Sequence, residues 1–433
     1  MPFLKFLTVL LLFISFPVFS QKPVPALQQS EAILIKGGIA HTGEGTIINN
    51  SLIGFTDGII TLIDSTNGNA DLSKYSKVID ATGKHIYPGF IATNTIIGLV
   101  EIPAVRATRD HSETGNLNPN VRSLIAFNTD SKIIPTTRTN GVLITQATPF
   151  GGWISGTSSL MDLDGWNWQD AVNTPDIGIH LFWQNEFSFG GRRGDRDPKL
   201  QLQEGYSKFI SEIRTLFSDA KAYSQLSEPV YNGRLESMRD LFSGEKILFI
   251  HVNYAKDIIT SVEFALKADV QKVVIVGGAE SYKVLDFLKE KSIPVLVRDI
   301  FSLPLTQSDE IDIQFKLPKI LSDNGILFGF DMSNESTQAR NLPFAAGYTT
   351  AYGLTFEEAL SAITFNIAKI LGVDDKIGSL KVGKEATLFV SSGNALEITG
   401  NNVEHAFIKG KTLDLRNEQI ELYERYKNKY GIK

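Results

Sequence analysis

A series of short, almost uniformly apolar segments, beginning near residue 140, limits the folds open to this chain. The segments read GVLITQA, IGIHLFW, KILFIHV, KVVIVGG, IPVLVRD and GILFGFD, and helical patterns at 256–268 and 281–290 separate some of the later ones. Strands that lack a polar face are buried on both sides, as in a parallel sheet covered by helices. The alternation therefore predicts a βαβ array with right-handed connections.

Both ends of the chain are predicted to share a small β domain. Residues 21–87 contain short β-branched runs separated by Gly, Asp and Asn turns, which is the pattern of an antiparallel β unit. Strand-like sequence patterns return late in the chain. We therefore expect residues 21–87 and 373–433 to form one β-sandwich domain, and residues 88–372 between them to form a barrel. The stretch NEQIELYERYKNKYG predicts a C-terminal helix with Ile420, Tyr423 and Tyr430 on one face. We expect this face to pack on its own domain rather than on a partner.

The first twenty residues have the pattern of an export signal. Lys5 precedes an apolar run, and Val18 and Ser20 are small residues placed before a cleavage site. The run is short for a bilayer-spanning helix, which needs about 20 apolar residues. We therefore expect removal of residues 1–20, no membrane span, and a soluble mature protein in the periplasm or outside the cell.

Charge and cysteine content exclude several classes of function. The formal net charge is −6 at pH 7 and no basic stripe is present, so nucleic acid is not an expected partner. The chain has no cysteine, which excludes disulfides, thiolate metal sites and a cysteine nucleophile. Any metal would need His, Asp, Glu or Lys as ligands.

Two motifs, one near each end of the predicted barrel, resemble those of the amidohydrolase superfamily. The family's first barrel strand, G-K-x-V-x-P-G-F-I-D-x-H-x-H-x-G, is similar to GKHIYPGFIATNTIIG, and its closing motif, G-x-L-x-x-G-x-x-A-D-L-V, is similar to IGSLKVGKEATLFV. Segments such as ALSAITFNIAKILGV resemble the imidazolonepropionase-like branch. The resemblance covers nearly all of the mature chain. It implies an α/β fold, a (β/α)8 TIM-like barrel with a small β-sandwich domain, in which FGGWISGTSS is a pocket-wall loop after the second strand.

The resemblance also implies metal-assisted hydrolysis of C–N bonds in cyclic amides, peptides or related compounds. In the family, one or two divalent metals at the carboxyl mouth of the barrel activate a water molecule and polarise the substrate carbonyl. Their ligands are two histidines on strand one, often a carboxylated lysine or a glutamate on strand four, histidines on strands five and six, and an aspartate on strand eight.

Most of that ligand set is lost when it is carried over to this chain. The strand-one histidines fall on Asn94 and Ile96, and the strand-six histidine falls on Gly277. His251 matches the strand-five histidine, and Asp331 matches the strand-eight aspartate. These two ligands compare with the three protein ligands that a catalytic zinc site typically keeps. We therefore expect no metal cofactor at the usual site.

Several polar residues have two interpretations each. His251 either caps a strand end in the core or binds a ligand, and Asp331 either caps the following turn or lines the pocket. Glu186 is either a solvated loop residue or a replacement for the strand-four ligand, and His111 lies in a polar loop at the barrel mouth. A remodelled site that binds one zinc-like divalent metal through these four residues remains an alternative. His180 is predicted to be packed rather than catalytic.

Three hypotheses on function follow. The first is an exported, non-catalytic subunit or binding protein, whose partner is a metal-competent amidohydrolase paralogue or a second copy of this chain. The second is a hydrolase of C–N bonds that uses an unusual metal site, or Asp331 with His251 or His111 as an acid–base pair. The third is a periplasmic protein that binds a small molecule in the pocket where the family binds its metals and substrate. The residues expected to line that pocket are Asn94, Ile96, His111, Glu186, His251, Gly277 and Asp331.

Overall fold

The computed structural model describes residues 24–66, 71–190, 199–332 and 335–432. The export signal predicted at residues 1–20 lies outside these ranges. Within them, no helix is both long and apolar enough to cross a membrane.

The described residues form twenty strands and eleven α-helices. The strands are β1 (Ile33–Lys36), β2 (Ile39–His41), β3 (Ile47–Ile48), β4 (Ser51–Thr56), β5 (Ile59–Ser65), β6 (Lys77–Asp80), β7 (His85–Pro88), β8 (Phe90–Thr95), β9 (Val142–Ala147), β10 (Ile154–Asp162), β11 (Val172–Phe182), β12 (Phe187–Gly190), β13 (Lys199–Leu202), β14 (Ile247–Val252), β15 (Val273–Gly277), β16 (Val295–Arg298), β17 (Phe328–Asp331), β18 (Leu388–Ser391), β19 (Val403–Ile408) and β20 (Lys411–Thr412). The helices are α1 (Ile133–Arg138), α2 (Trp168–Ala171), α3 (Tyr206–Ser224), α4 (Gly233–Ser243), α5 (Ala255–Lys267), α6 (Leu285–Glu290), α7 (Ile313–Asp323), α8 (Leu342–Tyr348), α9 (Phe356–Ser361), α10 (Phe365–Leu371) and α11 (Glu418–Tyr430).

Eight strands close into a barrel in the order β8-β9-β10-β11-β14-β15-β16-β17, which confirms the predicted eight-stranded barrel. Neighbouring strands are parallel except at β10, which runs antiparallel to both β9 and β11. The predicted all-parallel (β/α)8 order is therefore wrong at one strand. The segment between Ala147 and Ile154 is too short for a helical crossover, so the chain returns antiparallel. Residues 154–159, predicted as a pocket-wall loop, belong to β10.

Besides the two-stranded sheet β12-β13, the described residues form two further sheets, and only the six-stranded one contains strands from both ends of the chain. One has the order β5-β4-β1-β6, and the other has the order β20-β19-β18-β7-β2-β3. An apolar cluster that includes Ile35, Phe55, Ile86 and Phe407 packs between them. Strand β7 pairs antiparallel with β18 and leads through Gly89 directly into barrel strand β8, so the second sheet fixes the position of the barrel's first strand.

The helix predicted at the C-terminus forms, but its predicted packing is wrong. Helix α11 has no buried residue, and Ile420 and Tyr423 are 41% and 61% exposed. Its first turn contacts α1 through Lys132–Glu418 and Thr136–Gln419. The apolar face that the sequence pattern indicated is real, but it is turned to solvent.

Candidate functional site

Seven polar residues at the carboxyl mouth of the barrel form a closed cycle of hydrogen bonds, six between side chains and one from a backbone N–H, which we call the polar ring. Its members come from seven of the eight barrel strands: Asn94, Gln146, Ser158, His180, His251, Arg298 and Asp331. The eighth strand, β15, ends at Gly277, which has no side chain to contribute. In a parallel barrel this end carries the functional residues, so the ring lies where the family's metal ligands would converge.

Asn94 enters the ring because the backbone of β8 is irregular. The pairing of β8 with β9 shifts register between Ala92 and Thr95, and Asn94 adopts a left-handed conformation with φ of 51°. Asparagine tolerates this conformation better than most residues, and a bulge of this kind redirects a side chain. The Asn94 Nδ2 donates to Asp331 Oδ1 at 2.7 Å, and the Asn94 backbone N–H donates to Gln146 Oε1 at 3.3 Å.

Arg298, the last residue of β16, joins the two metal ligands that the sequence comparison had retained. Its Nε donates to Asp331 Oδ2 at 3.0 Å, and its Nη2 contacts His251 Nδ1 at 2.9 Å. The Asp331 side chain is 0% exposed and that of Arg298 is 31% exposed. The guanidinium therefore supplies a positive charge between the aspartate and the histidine, where a metal ion would supply it in a metal-dependent relative.

The hydrogen-bond directions around the ring assign both histidines to the neutral Nε2–H tautomer. A guanidinium can only donate, so His251 Nδ1 accepts and His251 Nε2 donates to His180 Nδ1 at 2.9 Å. His180 Nε2 then donates to Ser158 Oγ at 2.7 Å, and Gln146 Nε2 donates to the same oxygen at 2.9 Å. The pattern is satisfied only if neither histidine carries a second proton.

Electrostatics favour the same neutral state. Burial lowers the pKa of His180 to about 3. Burial also lowers the pKa of His251 well below its usual range, and the neighbouring His180 and the positive charge of Arg298 lower it further. Both rings are held by stacking, His251 on Phe182 with centroids 4.0 Å apart and His180 on Phe249 with centroids 4.7 Å apart. The ring contains one net ion pair, Arg298 with Asp331.

The positions of the three lost family ligands are now occupied by other contacts. Ile96 is buried in the main apolar core, and Asn94 is bonded to Asp331. Gly277 has φ of +101°, and a Cβ built there would lie 2.4 Å from Asn253 Oδ1. Any side chain at this position would need both a strained backbone and displacement of Asn253.

His111 and Glu186 are not part of the polar ring. Glu186 forms an ion pair with Lys256, and the His111 Nδ1 is buried without a hydrogen-bond partner. No group of three or more His, Cys, Asp or Glu residues in the described ranges could hold a metal ion. Arg298, rather than His111 or Glu186, is the side chain that contacts both His251 and Asp331, and this mixture of a guanidinium with one imidazole and one carboxylate does not suit a divalent metal.

Sequence reasoning missed Arg298, Gln146 and Ser158, and it placed His180 in the core without a polar role. His180 is indeed fully buried, but both of its ring nitrogens are hydrogen-bonded. A signal was present for Arg298, because a charged residue that ends an apolar barrel strand lies at the mouth. No comparable signal marks which residues on other strands it contacts.

A cavity of about 520 Å³ lies beside the ring, at the ends of β16 and β17. Arg298 and Asp331 form part of its wall, together with Phe301, Phe344 and the carboxylates of Asp299 and Glu335. Burial and the negative charge of Asp299 raise the pKa of Glu335. The volume and the mixture of aromatic and charged walls are those of small-molecule sites.

Comparisons with known proteins agree on the family. The model of the amidohydrolase family matches residues 249–413. The imidazolonepropionases of Shewanella oneidensis and Shewanella frigidimarina are each 32% identical to this chain over 121 residues, a match that covers 25% of this chain and only 28% of each relative.

Solved structures show the same fold. An amidohydrolase from Thermotoga maritima superposes with a TM-score of 0.76 at 23% identity, covering 89% of this chain and 100% of that protein. A prolidase complexed with N-methylphosphonate-L-proline superposes with a TM-score of 0.54 at 16% identity, covering 88% of this chain and 99% of that protein. At these sequence identities, the superpositions show only that the fold is shared.

Proposed function

Since this chain belongs to the amidohydrolase superfamily, we propose that it is a member in which an arginine side chain has replaced the catalytic metal, and that it acts as an exported, non-catalytic binding protein or subunit. The observation that supports this proposal is the Arg298 guanidinium, which contacts both Asp331 and His251. These are the two side chains that a metal would require. A metal ion and a guanidinium cannot use the same lone pairs at once.

The chemistry of the ring also disfavours hydrolysis without a metal. An acid–base pair of Asp331 and His251 needs a carboxylate or imidazole lone pair that faces the substrate. The Nδ1 lone pair of His251 accepts from Arg298, and its Nε2–H donates to His180. Asp331 accepts from both Asn94 and Arg298. An acid–base pair would also contribute only about 10² to 10⁴-fold, which is little for an unactivated amide.

The cavity beside the ring gives the proposed protein a place to bind a small molecule. It is open at the barrel mouth, and it is lined by aromatic side chains and by the ends of β16 and β17. A metal-competent amidohydrolase paralogue and a second copy of this chain are the proposed protein partners. The small-molecule role and the subunit role are compatible, because neither requires chemistry at the ring.

Hydrolysis and thermal unfolding, both measured on one protein preparation, test this proposal. The compounds to be tested are cyclic amides, N-acyl amino acids and Xaa-Pro dipeptides. We expect no hydrolysis that depends on Asp331, so the wild-type protein and Asp331→Asn should give equal background rates. We also expect at least one compound class to raise the melting temperature, since ligands that bind only the folded state stabilise it. Turnover by the wild-type protein that is abolished in Asp331→Asn would contradict the non-catalytic function and favour an unusual hydrolase.

A further inference from the structure

The C-terminal helix α11 carries an apolar stripe that the described part of its own chain leaves uncovered. Every described side chain of α11 is exposed except that of Lys427, which is half-buried. The stripe is formed by residues spaced three or four apart, which share one side of a helix. Its members are Ile420, Leu422, Tyr423, Tyr426 and Tyr430. Contiguous exposed apolar surface of this kind marks an interaction site.

The helix is well delimited, so its exposure is not that of a frayed tail. Asn417 caps its start, where the side-chain oxygen accepts from the Ile420 backbone N–H at 2.9 Å. Gly431 ends it in the left-handed conformation that favours glycine, with φ of 62°. An isolated helix shorter than about 12–15 residues is marginal in water, and most helices depend on the packing of an amphipathic face. A partner that covers the stripe would therefore stabilise α11 further.

The charges of α11 identify the chemistry of that partner. The first half of the helix carries acidic side chains and the second half carries basic ones. The acidic residues are Glu418, Glu421 and Glu424, and the basic residues are Arg425, Lys427 and Lys429. This order suits the helix macrodipole, but the macrodipole does not account for the apolar stripe. An identical helix that runs antiparallel would place each acidic half against a basic half, whereas a parallel helix would place like charges together.

The positions around the helix fit the same arrangement. On a helical wheel of 100° per residue, Lys429 and Glu418 fall just beyond the Leu422 edge of the stripe. At the opposite edge, Lys427 falls between Tyr423 and Ile420, and Glu424 falls just beyond Ile420. In an antiparallel pair related by a two-fold axis, each flank meets the same flank of the partner. Lys429 of one copy therefore lies near Glu418 of the other, where it competes with the exposed Lys132–Glu418 pair within one chain, and Lys427 lies near Glu424. The two contacts need registers that differ by four residues, about 6 Å along the helix axis, so a register midway between them leaves each pair about 3 Å out of line, within reach of long Lys and Glu side chains.

We propose that α11 forms an isologous, antiparallel helix pair with α11 of a second copy of this chain. The stripe of each copy covers that of the other, and the four flanking charges set the direction. The proposal concerns the C-terminal helix and is independent of whether the polar ring is catalytic.

Light scattering after size exclusion of the full chain tests the pairing. We expect the wild-type protein to reach twice its monomer mass as its concentration is raised. Two charge-reversed variants should each self-associate about 10-fold or more weakly, because like charges then face each other. They are the acidic-half reversal, Glu418→Lys/Glu421→Lys/Glu424→Lys, and the basic-half reversal, Arg425→Glu/Lys427→Glu/Lys429→Glu. An equimolar mixture of the two should form a dimer again.

Two further variants separate pairing from effects on folding. Tyr426→Ser keeps every charge and should also weaken the dimer, while Lys208→Glu reverses an exposed charge on α3 and should leave it unchanged. At a concentration where the wild-type protein is monomeric, circular dichroism should give all variants the wild-type melting temperature, since α11 has no buried residue. A wild-type protein that stays monomeric, reversed variants that still dimerise, or a mixture that fails to associate would each overturn the proposal.

Discussion

Replacing Arg298 with alanine is expected to lower the free energy of unfolding by about 2–4 kcal/mol. The substitution leaves the fully buried Asp331 carboxylate without its guanidinium and leaves His251 Nδ1 without a donor. Removing one partner of a buried pair costs more than the pair contributes, because an uncompensated charge remains. The cost stays below the upper end of that range because Asn94 and Thr93 still donate to Asp331. Urea unfolding at neutral pH measures the change.

Arg122→Ala is the matched control. Arg122 also forms a two-point ion pair with an aspartate, since its Nε and Nη2 contact Asp176 at 2.9 and 2.7 Å. That pair is exposed, with 45% and 26% of the two side chains accessible, so its loss should cost no more than about 1 kcal/mol. Arg298→Lys should be intermediate, because an ammonium cannot span Asp331 and His251 as the planar guanidinium does. Equal costs for Arg298→Ala and Arg122→Ala would mean that the ring is not a stabilising unit.

Acidification is expected to destabilise the protein through the two ring histidines. Burial lowers the pKa of His180 to about 3 and that of His251 well below its usual range, whereas an unfolded histidine titrates near about 6.5. Below that pH, the unfolded chain binds protons that the folded ring does not accept. The stability linked to the neutral histidines is therefore complete above pH about 6.5 and is lost as the pH falls towards the folded pKa values.

The expected loss is large for two side chains. Well below pH about 6.5 each histidine contributes about 1.4 kcal/mol per pH unit, and half of that at the unfolded pKa itself, so the pair should account for about 3 kcal/mol between pH about 6.5 and about 5. Unfolding free energies from urea titrations across this window measure the slope. His180→Gln removes one titrating group from the ring and should reduce the slope by about 1.4 kcal/mol per pH unit.

His405→Gln provides the comparison for that slope, because the half-exposed His405 lies on β19, outside the ring. It should change the slope less than His180→Gln does. Parallel pH profiles for the wild-type protein and His180→Gln would show that the ring histidines are not held neutral.

The barrel could be predicted from the sequence because its signals are local. Apolar runs such as KILFIHV and KVVIVGG became the fully buried strands β14 and β15, and the helices predicted at 256–268 and 281–290 became α5 and a 3-10 turn followed by α6. Strand β10 was missed because its glycines and serines suggest a loop. Its place in the barrel depends on pairing with β9 and β11, which no local pattern records.

The candidate site could be predicted only at the positions that the family motif specifies. Asn94, Ile96 and Gly277 stood out because the family pattern specifies histidines there. Arg298 did not, because its role is defined by contacts to β14 and β17 that depend on how the barrel closes. The exposure of α11 could not be predicted from the sequence either, because an amphipathic pattern indicates an apolar face but not what covers it.

Zinc binding by the purified protein tests most directly whether the Arg298 guanidinium has replaced the metal. The protein would be expressed in zinc-supplemented medium, dialysed against a chelator, and measured by elemental analysis and by calorimetric titration with zinc. We expect substoichiometric zinc, no saturable heat of binding, and a melting temperature that zinc and chelator leave unchanged. A full equivalent of zinc that survives dialysis and is lost in Asp331→Ala would contradict this assignment, because a metal ion on Asp331 would lie beside the positively charged Arg298 guanidinium, which repels it.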